Sequence, residues 1–194
     1  MKDLGQAEYD LQCANKIRCD MVVTPVQLSN FYRSQADYDL CRLEESIKEG
    51  NQSVLSEERR KAGASIKMLV KTSRKAAQNL TETFRLAGRY YWLIHKQKKA
   101  LRCWHKAIMK GERLGARLEL SRVYFEIGKH LLEAGSKYKT LNGLSAEGYL
   151  EKARILFEEM DLLWDLDALS RVVDGSETSC YKADSPRATT DVDV

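Results

Sequence analysis

The sequence predicts an all-α protein, a short right-handed α-solenoid of about three helical hairpins with a long loop inserted in the last. Three observations carry this. The 194 residues include only 2 prolines and 11 glycines, too few for many short strands joined by tight turns. Apolar residues recur at helical spacing through most of the chain. One set of large and small residues also recurs at fixed offsets, as it does in repeat architectures. The length suits one domain or a repeat array, and 43% hydrophobic beside 31% charged residues is a globular composition. Collagen-like, mucin-like and wholly disordered chains are excluded.

Residues 1–25 are polar and weakly periodic, and are expected to be weakly helical (from about Gln6 to Arg18) or disordered. Thr24-Pro25 marks a helix start, because Pro fits the first turn of a helix and disrupts its interior. From Val26 to about Lys48 the residues Leu28, Phe31, Tyr32, Ala36, Leu40, Leu43 and Ile47 share helical spacing, and Gly50-Asn51 ends the run. Ser56-Glu57-Glu58 reads as the next start, with Ser56 as N-cap and acids in the first turn. That helix carries Ala62, Ile66, Leu69 and Val70 on one face. The first hairpin is therefore placed at 26–79.

The middle hairpin, 80–114, is the most informative. Its first helix contains Phe84, Gly88 and Tyr91 and its second Ala100, Trp104 and Ala107, at successive steps of four, three, nine, four and three. Small residues at Gly88 and Ala100 let two antiparallel helices approach, and the aromatic side chains fill the gaps around them. Tyr124, Gly128 and Leu131 repeat the first three positions, each displaced by forty. Ala153, Phe157 and Met160 keep the steps of four and three, but Ala153 follows Gly128 by twenty-five positions where Ala100 follows Gly88 by twelve. The difference implies an insertion of thirteen around 136–145, and the last hairpin spans 116–169. The helical repeat domain is thus 26–170, with Trp164 read as a plug on its open end. Residues 171–194 are acidic and rich in Ser, Thr and Asp, and are expected to form a disordered tail.

The pattern at Phe84–Ala107 is that of a tetratricopeptide helix–turn–helix repeat. The chain resembles, more specifically, the C-terminal tetratricopeptide region of bacterial signalling proteins that join a class III nucleotidyl cyclase domain to an ATPase module. The stretches that carry the resemblance are Arg85-Leu86-Ala87-Gly88-Arg89-Tyr90-Tyr91-Trp92-Leu93, Gly111-Glu112-Arg113-Leu114-Gly115-Ala116 and Glu119-Leu120-Ser121-Arg122. Tyr149-Leu150-Glu151-Lys152-Ala153-Arg154 and the run from Phe157 to Leu166 extend it. The resemblance implies a scaffold in a nucleotide-signalling or regulatory setting. The paired metal-binding aspartates of a cyclase and the GxxxxGK[ST] loop of an ATPase do not occur, so no catalytic activity is carried over. A non-enzymatic scaffold or adaptor is expected, binding a peptide or partner domain. The alternative is a regulatory subunit or gene remnant that packs in trans on a cyclase/ATPase catalytic core.

Repeats of this kind bind extended peptides along the groove lined by their first helices. In this register Glu82, Arg85, Arg89 and Trp92 face the groove from the middle hairpin, joined by Arg122, Phe125, Lys129 and Leu132 from the last. Four cations beside aromatic and aliphatic surface suit an acidic peptide or a C-terminal carboxylate, since Arg offers planar bidentate donors. The competing reading pairs Arg89 and Lys129 with nearby Glu residues or with the acidic last hairpin.

Charge is unevenly distributed. Residues 57–113 hold sixteen Lys or Arg against four Glu, whereas 150–169 hold six acids against two bases. Lys96, Lys98, Lys99, Arg102, Lys106 and Lys110 form a basic face beside Tyr90, Trp92 and Trp104. A nucleic-acid surface there is the weakest of the readings, because Trp104 fits a core position. No cofactor or metal is expected: His95, His105 and His130 lack ligand spacing, and Cys13, Cys19, Cys41, Cys103 and Cys180 form no CxxC pair. The Cys103–His105 pair points in different directions on a helix. With no apolar leader at the N-terminus and no apolar run long enough to span a bilayer, a cytoplasmic protein is expected, with no membrane partner.

Overall fold

A computed structural model describes residues 4–50 and 52–175. Among these, eight α-helices follow one another: α1 (Leu4–Asp20), α2 (Pro25–Glu49), α3 (Gln52–Ser73), α4 (Leu80–Leu93), α5 (Gln97–Leu114), α6 (Arg117–Leu132), α7 (Ala146–Glu159) and α8 (Leu163–Val173). A single 3₁₀ turn (Ala77–Asn79) precedes α4, and a two-stranded antiparallel ribbon, β1 (Thr140–Leu141) with β2 (Leu144–Ser145), separates α6 from α7. The helices pack as successive adjacent pairs, α2 with α3, α4 with α5 and α6 with α7, which makes an all-α, solenoid-like fold. No described helix is long and apolar enough to cross a membrane.

Local chemistry sets the boundaries. Thr24 and Gln27 form a reciprocal capping box, with the Gln27 N–H donating to Thr24 Oγ1 at 3.3 Å and the Thr24 N–H to Gln27 Oε1 at 2.8 Å. Pro25 occupies the first turn, and Gly50 closes α2 with φ of +68°, a conformation that costs glycine little. One boundary differs from expectation. Helix α3 starts at Gln52, so Ser56 lies inside it with its hydroxyl donating to the Ser53 carbonyl oxygen rather than capping. The weakly periodic N-terminal segment is helical over Leu4–Asp20, although α1 has no fully buried residue.

The middle hairpin closes around Gly88. A Cβ there would run into the Trp104 indole, with Cε2 at 2.7 Å. Trp104 is wholly buried, and its ring stacks on His130 at 5.3 Å and lies 5.5 Å from Trp92. In the last hairpin a Cβ on Gly128 would meet Leu150 Cγ at 2.6 Å and the Ala146 carbonyl oxygen at 3.0 Å. Leu150, not Phe157, therefore takes the place of Trp104. A second contact agrees: Lys106 lies over the Phe84 ring at 5.8 Å, and Lys152 over the Tyr124 ring at 5.4 Å. Ala146, Leu150 and Ala153 are thus the counterparts of Ala100, Trp104 and Ala107, which corrects the assignment of Ala153, Phe157 and Met160. Helix α7 carries the spacing of four and three twice, in frames that share Ala153 and are offset by seven positions. That offset is close to two helical turns, so both frames present the same face and spacing alone does not choose between them. Phe157 remains in the core, edge-on to Phe125 at 6.1 Å, and Met160 caps α7 half-buried.

The insertion is correspondingly shorter. Ala146 follows Gly128 by eighteen positions against the twelve from Gly88 to Ala100, so six are inserted rather than thirteen. The ribbon turns at Asn142-Gly143, both with positive φ, as a tight hairpin turn of this kind requires. It rests on the second helices, with Asn142 Oδ1 2.9 Å from His105 Nδ1 and the Tyr149 hydroxyl donating to the Leu141 carbonyl oxygen at 3.0 Å.

Trp164 does not plug the array, being 52% exposed. The end is closed by α8 as a whole. Leu162, Leu166, Leu169 and Val172 turn inward onto the core of the last hairpin. Trp164 lies two positions from Leu162, roughly 200° around the helix, and so points outward with Asp167 and Ser170. Residues 171–173 belong to α8, and 176–194, where the tail was expected, lie outside the described residues.

A cleft of about 430 Å³ separates α1 from the α2–α3 hairpin and contains the buried Asp39. Burial pushes the Asp39 carboxyl up from its usual 3.8, against the lowering effect of hydrogen bonds from Ser65 and Gln35. A raised value means that folding favours the protonated form. Its stabilising contribution is therefore complete below the ordinary carboxylate range and is lost as pH rises through the folded value. Asp39→Asn is expected to flatten this part of the stability profile, which thermal unfolding of both proteins from pH 3.5 to 7 would measure.

Candidate functional site: a charge-balanced concave cleft

The first helices of the three hairpins line a cleft of about 350 Å³. Helix α2 contributes Asp37 and Glu44, α4 contributes Glu82, Arg85 and Arg89, and α6 contributes Arg122, Phe125, Glu126, Lys129 and His130. Six of the eight groove residues expected from sequence are here. Trp92 and Leu132 are not. Trp92 is one helical turn beyond Gly88 and shares its packing face, so it turns inward, 5% exposed, with Nε1–H donating to Glu133 at 2.7 Å. Leu132 is the last residue of α6 and stands exposed beyond the cleft. Phe125 lines the floor but is buried, so it presents little free aromatic surface.

The arginines are held by carboxylates. Arg89 reaches from α4 to α2, with Nε and Nη2 donating to Glu44 at 2.7 and 2.9 Å and Nη1 to Asp37 at 3.0 Å. Arg85 grips Glu82 in bidentate fashion at 2.8 and 2.7 Å, and its Nη1 donates across to Glu126 of α6. Arg122 joins α6 to α8 through both oxygens of Asp165, at 3.3 and 3.1 Å. The pairs form a continuous line, α2–α4–α6–α8, along the concave side. Burial works against the charge on Arg89, but the Glu44 carboxylate outweighs it and holds the guanidinium well above its usual value. Burial likewise would raise Glu82, yet Arg85 holds it below the usual carboxylate range.

The lining therefore balances four carboxylates (Asp37, Glu44, Glu82, Glu126) against four cations (Arg85, Arg89, Arg122, Lys129). The cations expected in the groove are in it, but the groove carries no net positive charge. Sequence reasoning missed the acids of α2. Asp37 and Glu44 lie two helical turns apart and share a helix face, which is the signal that could have found them. Lys129 makes no hydrogen bond or close salt bridge among the described residues, although its charge helps to hold the Glu133 carboxyl below its usual range. Glu126, paired with Arg85 through one oxygen, keeps its other oxygen buried with no hydrogen-bond partner. Lys129 and Glu126 sit one helical turn apart.

His130, at the edge of the cleft, packs its ring into the aromatic core with Nδ1 2.5 Å from Glu133, and away from the cleft Cys103 is half-buried with its thiol pushed up by burial. Among the described residues no group of three or more His, Cys, Asp or Glu is placed to hold a metal ion. Comparison with family models, curated proteins and solved structures finds no match for this chain.

Proposed function

We propose that the chain is a non-enzymatic protein-interaction scaffold that receives an extended peptide segment along the cleft of α2, α4 and α6. The observation that carries this reading is the concave cleft itself, lined by the first helices of three successive hairpins, in which the arginines are tied to carboxylates and the half-buried Lys129 ammonium makes no hydrogen bond among the described residues. A peptide backbone carbonyl oxygen complements that ammonium. Charge balance favours a neutral segment over the acidic one that the four cations suggest in the sequence. The nucleotide-signalling setting is an extension of the family resemblance.

Panning a random-peptide display library on the purified protein tests the proposal. Selected peptides are expected to lose about tenfold or more in affinity with Lys129→Ala, a change at a half-buried, unpaired side chain that leaves the fold intact. Peptides that bind this variant as well as the wild type would overturn it.

A further inference from the structure

Among the described residues, a cluster of cations with no carboxylate partner lies away from the concave cleft, around the start of the second helix of the middle hairpin. The turn between α4 and α5, the start of α5 and the inserted segment enclose a recess of about 560 Å³. Lys96, Lys98, Lys99, Arg102 and Lys137 line it, and no carboxylate does. None of these five side chains makes an ion pair among the described residues, in contrast to the arginines of the cleft. The recess is a built feature. Gln97 Nε2 donates to the Gly135 carbonyl oxygen at 2.9 Å, and the Lys137 N–H donates to Gln97 Oε1 at 2.9 Å. This docking sets Lys137 and Tyr138 against the start of α5. The positive line continues down α5 through Lys106 and Lys110, which follow Arg102 at single-turn steps of about 6 Å.

We propose that this recess and the adjoining face of α5 bind single-stranded nucleic acid through its phosphates, with a base against Tyr138. Charge complementarity selects a polyanion, and the regular cation spacing can track an extended phosphodiester chain. The concavity and the ring in its wall favour a flexible strand over a flat anionic bilayer, which would meet only the rim lysines. Lys99 is already 5.7 Å from the Tyr91 ring, so its ammonium is steadied beside the path. This surface is separate from the peptide cleft, and the two readings fail independently.

Fluorescence anisotropy of a labelled 15-nucleotide oligo(U) provides the test. With five phosphates neutralised, the slope of log affinity against log salt is expected near −3.5, or roughly a hundredfold loss between 50 and 200 mM salt. Lys98→Glu/Arg102→Glu/Lys137→Glu replaces only unpaired cations of the recess and is expected to abolish binding. Tyr138→Ala should weaken it about tenfold, and Lys129→Ala should leave it unchanged. Absence of binding at 50 mM salt would overturn the proposal. So would binding unaffected by the triple substitution, or equal or tighter binding to phosphatidylserine vesicles or to poly-glutamate.

Discussion

Arg89→Ala is expected to lower the unfolding free energy by about 3–5 kcal/mol, because it removes the guanidinium that neutralises the largely buried Glu44 carboxylate. Arg89 is only 10% exposed along its side chain, and Glu44 is 14% exposed, so solvent screens the pair little. The loss is a large share of the roughly 5–15 kcal/mol typical of a domain. It should appear as an earlier urea midpoint, with the N-terminal hairpin released first, since this pair ties α2 to α4. Arg89→Met combined with Glu44→Leu should recover much of the loss, because an apolar pair of similar volume avoids the desolvation cost of both charges. A midpoint for Arg89→Ala equal to that of the wild type would mean that the arginine is a free groove cation after all. The same reasoning makes Arg85 and Arg89 poor choices for probing ligand capture: charge reversal there would disturb the scaffold before it reported on a ligand.

The second large effect belongs to the Gly88–Trp104 contact. Trp104→Ala should cost about 3–5 kcal/mol, the usual range for removing a wholly buried ring, since it also strips the stacking partners Trp92 and His130. Gly88→Ala places a Cβ against the same ring and should cost about 1–3 kcal/mol through overpacking. The two substitutions together should cost clearly less than their sum, because the shortened side chain makes room for the added methyl group. Denaturant unfolding of the two single variants and the double variant measures this, and simple additivity would contradict the packing described.

The middle hairpin was legible in the sequence because its determinants are close together: Gly88, Ala100 and Trp104 fall within one helix–turn–helix and dictate one close approach. The last hairpin was legible as a pair of helices but not in register, since α7 offers two equivalent frames and only the Gly128–Leu150 contact separates them. The positions of Arg85, Arg89, Arg122 and Lys129 followed from helical spacing. The competing reading, that Arg89 pairs with Glu, holds, but its partners could not be named, because Arg89 finds Glu44 and Asp37 at sequence separations of 45 and 52, through contacts between hairpins. Trp164 illustrates the same limit. An aromatic residue near the end of an array suggests closure, but the turn at Asp161, with φ of +52°, rotates α8 so that Leu166 and Leu169 close it instead.

We propose a concave cleft that binds by hydrogen bonding and shape rather than by net charge. Calorimetric titration of a cleft-selected peptide at 50 and 300 mM salt tests this most directly. Balanced lining charges predict an affinity change of less than about threefold between the two conditions. A loss of tenfold or more, with selected peptides rich in Asp and Glu, would contradict the account and restore a basic groove.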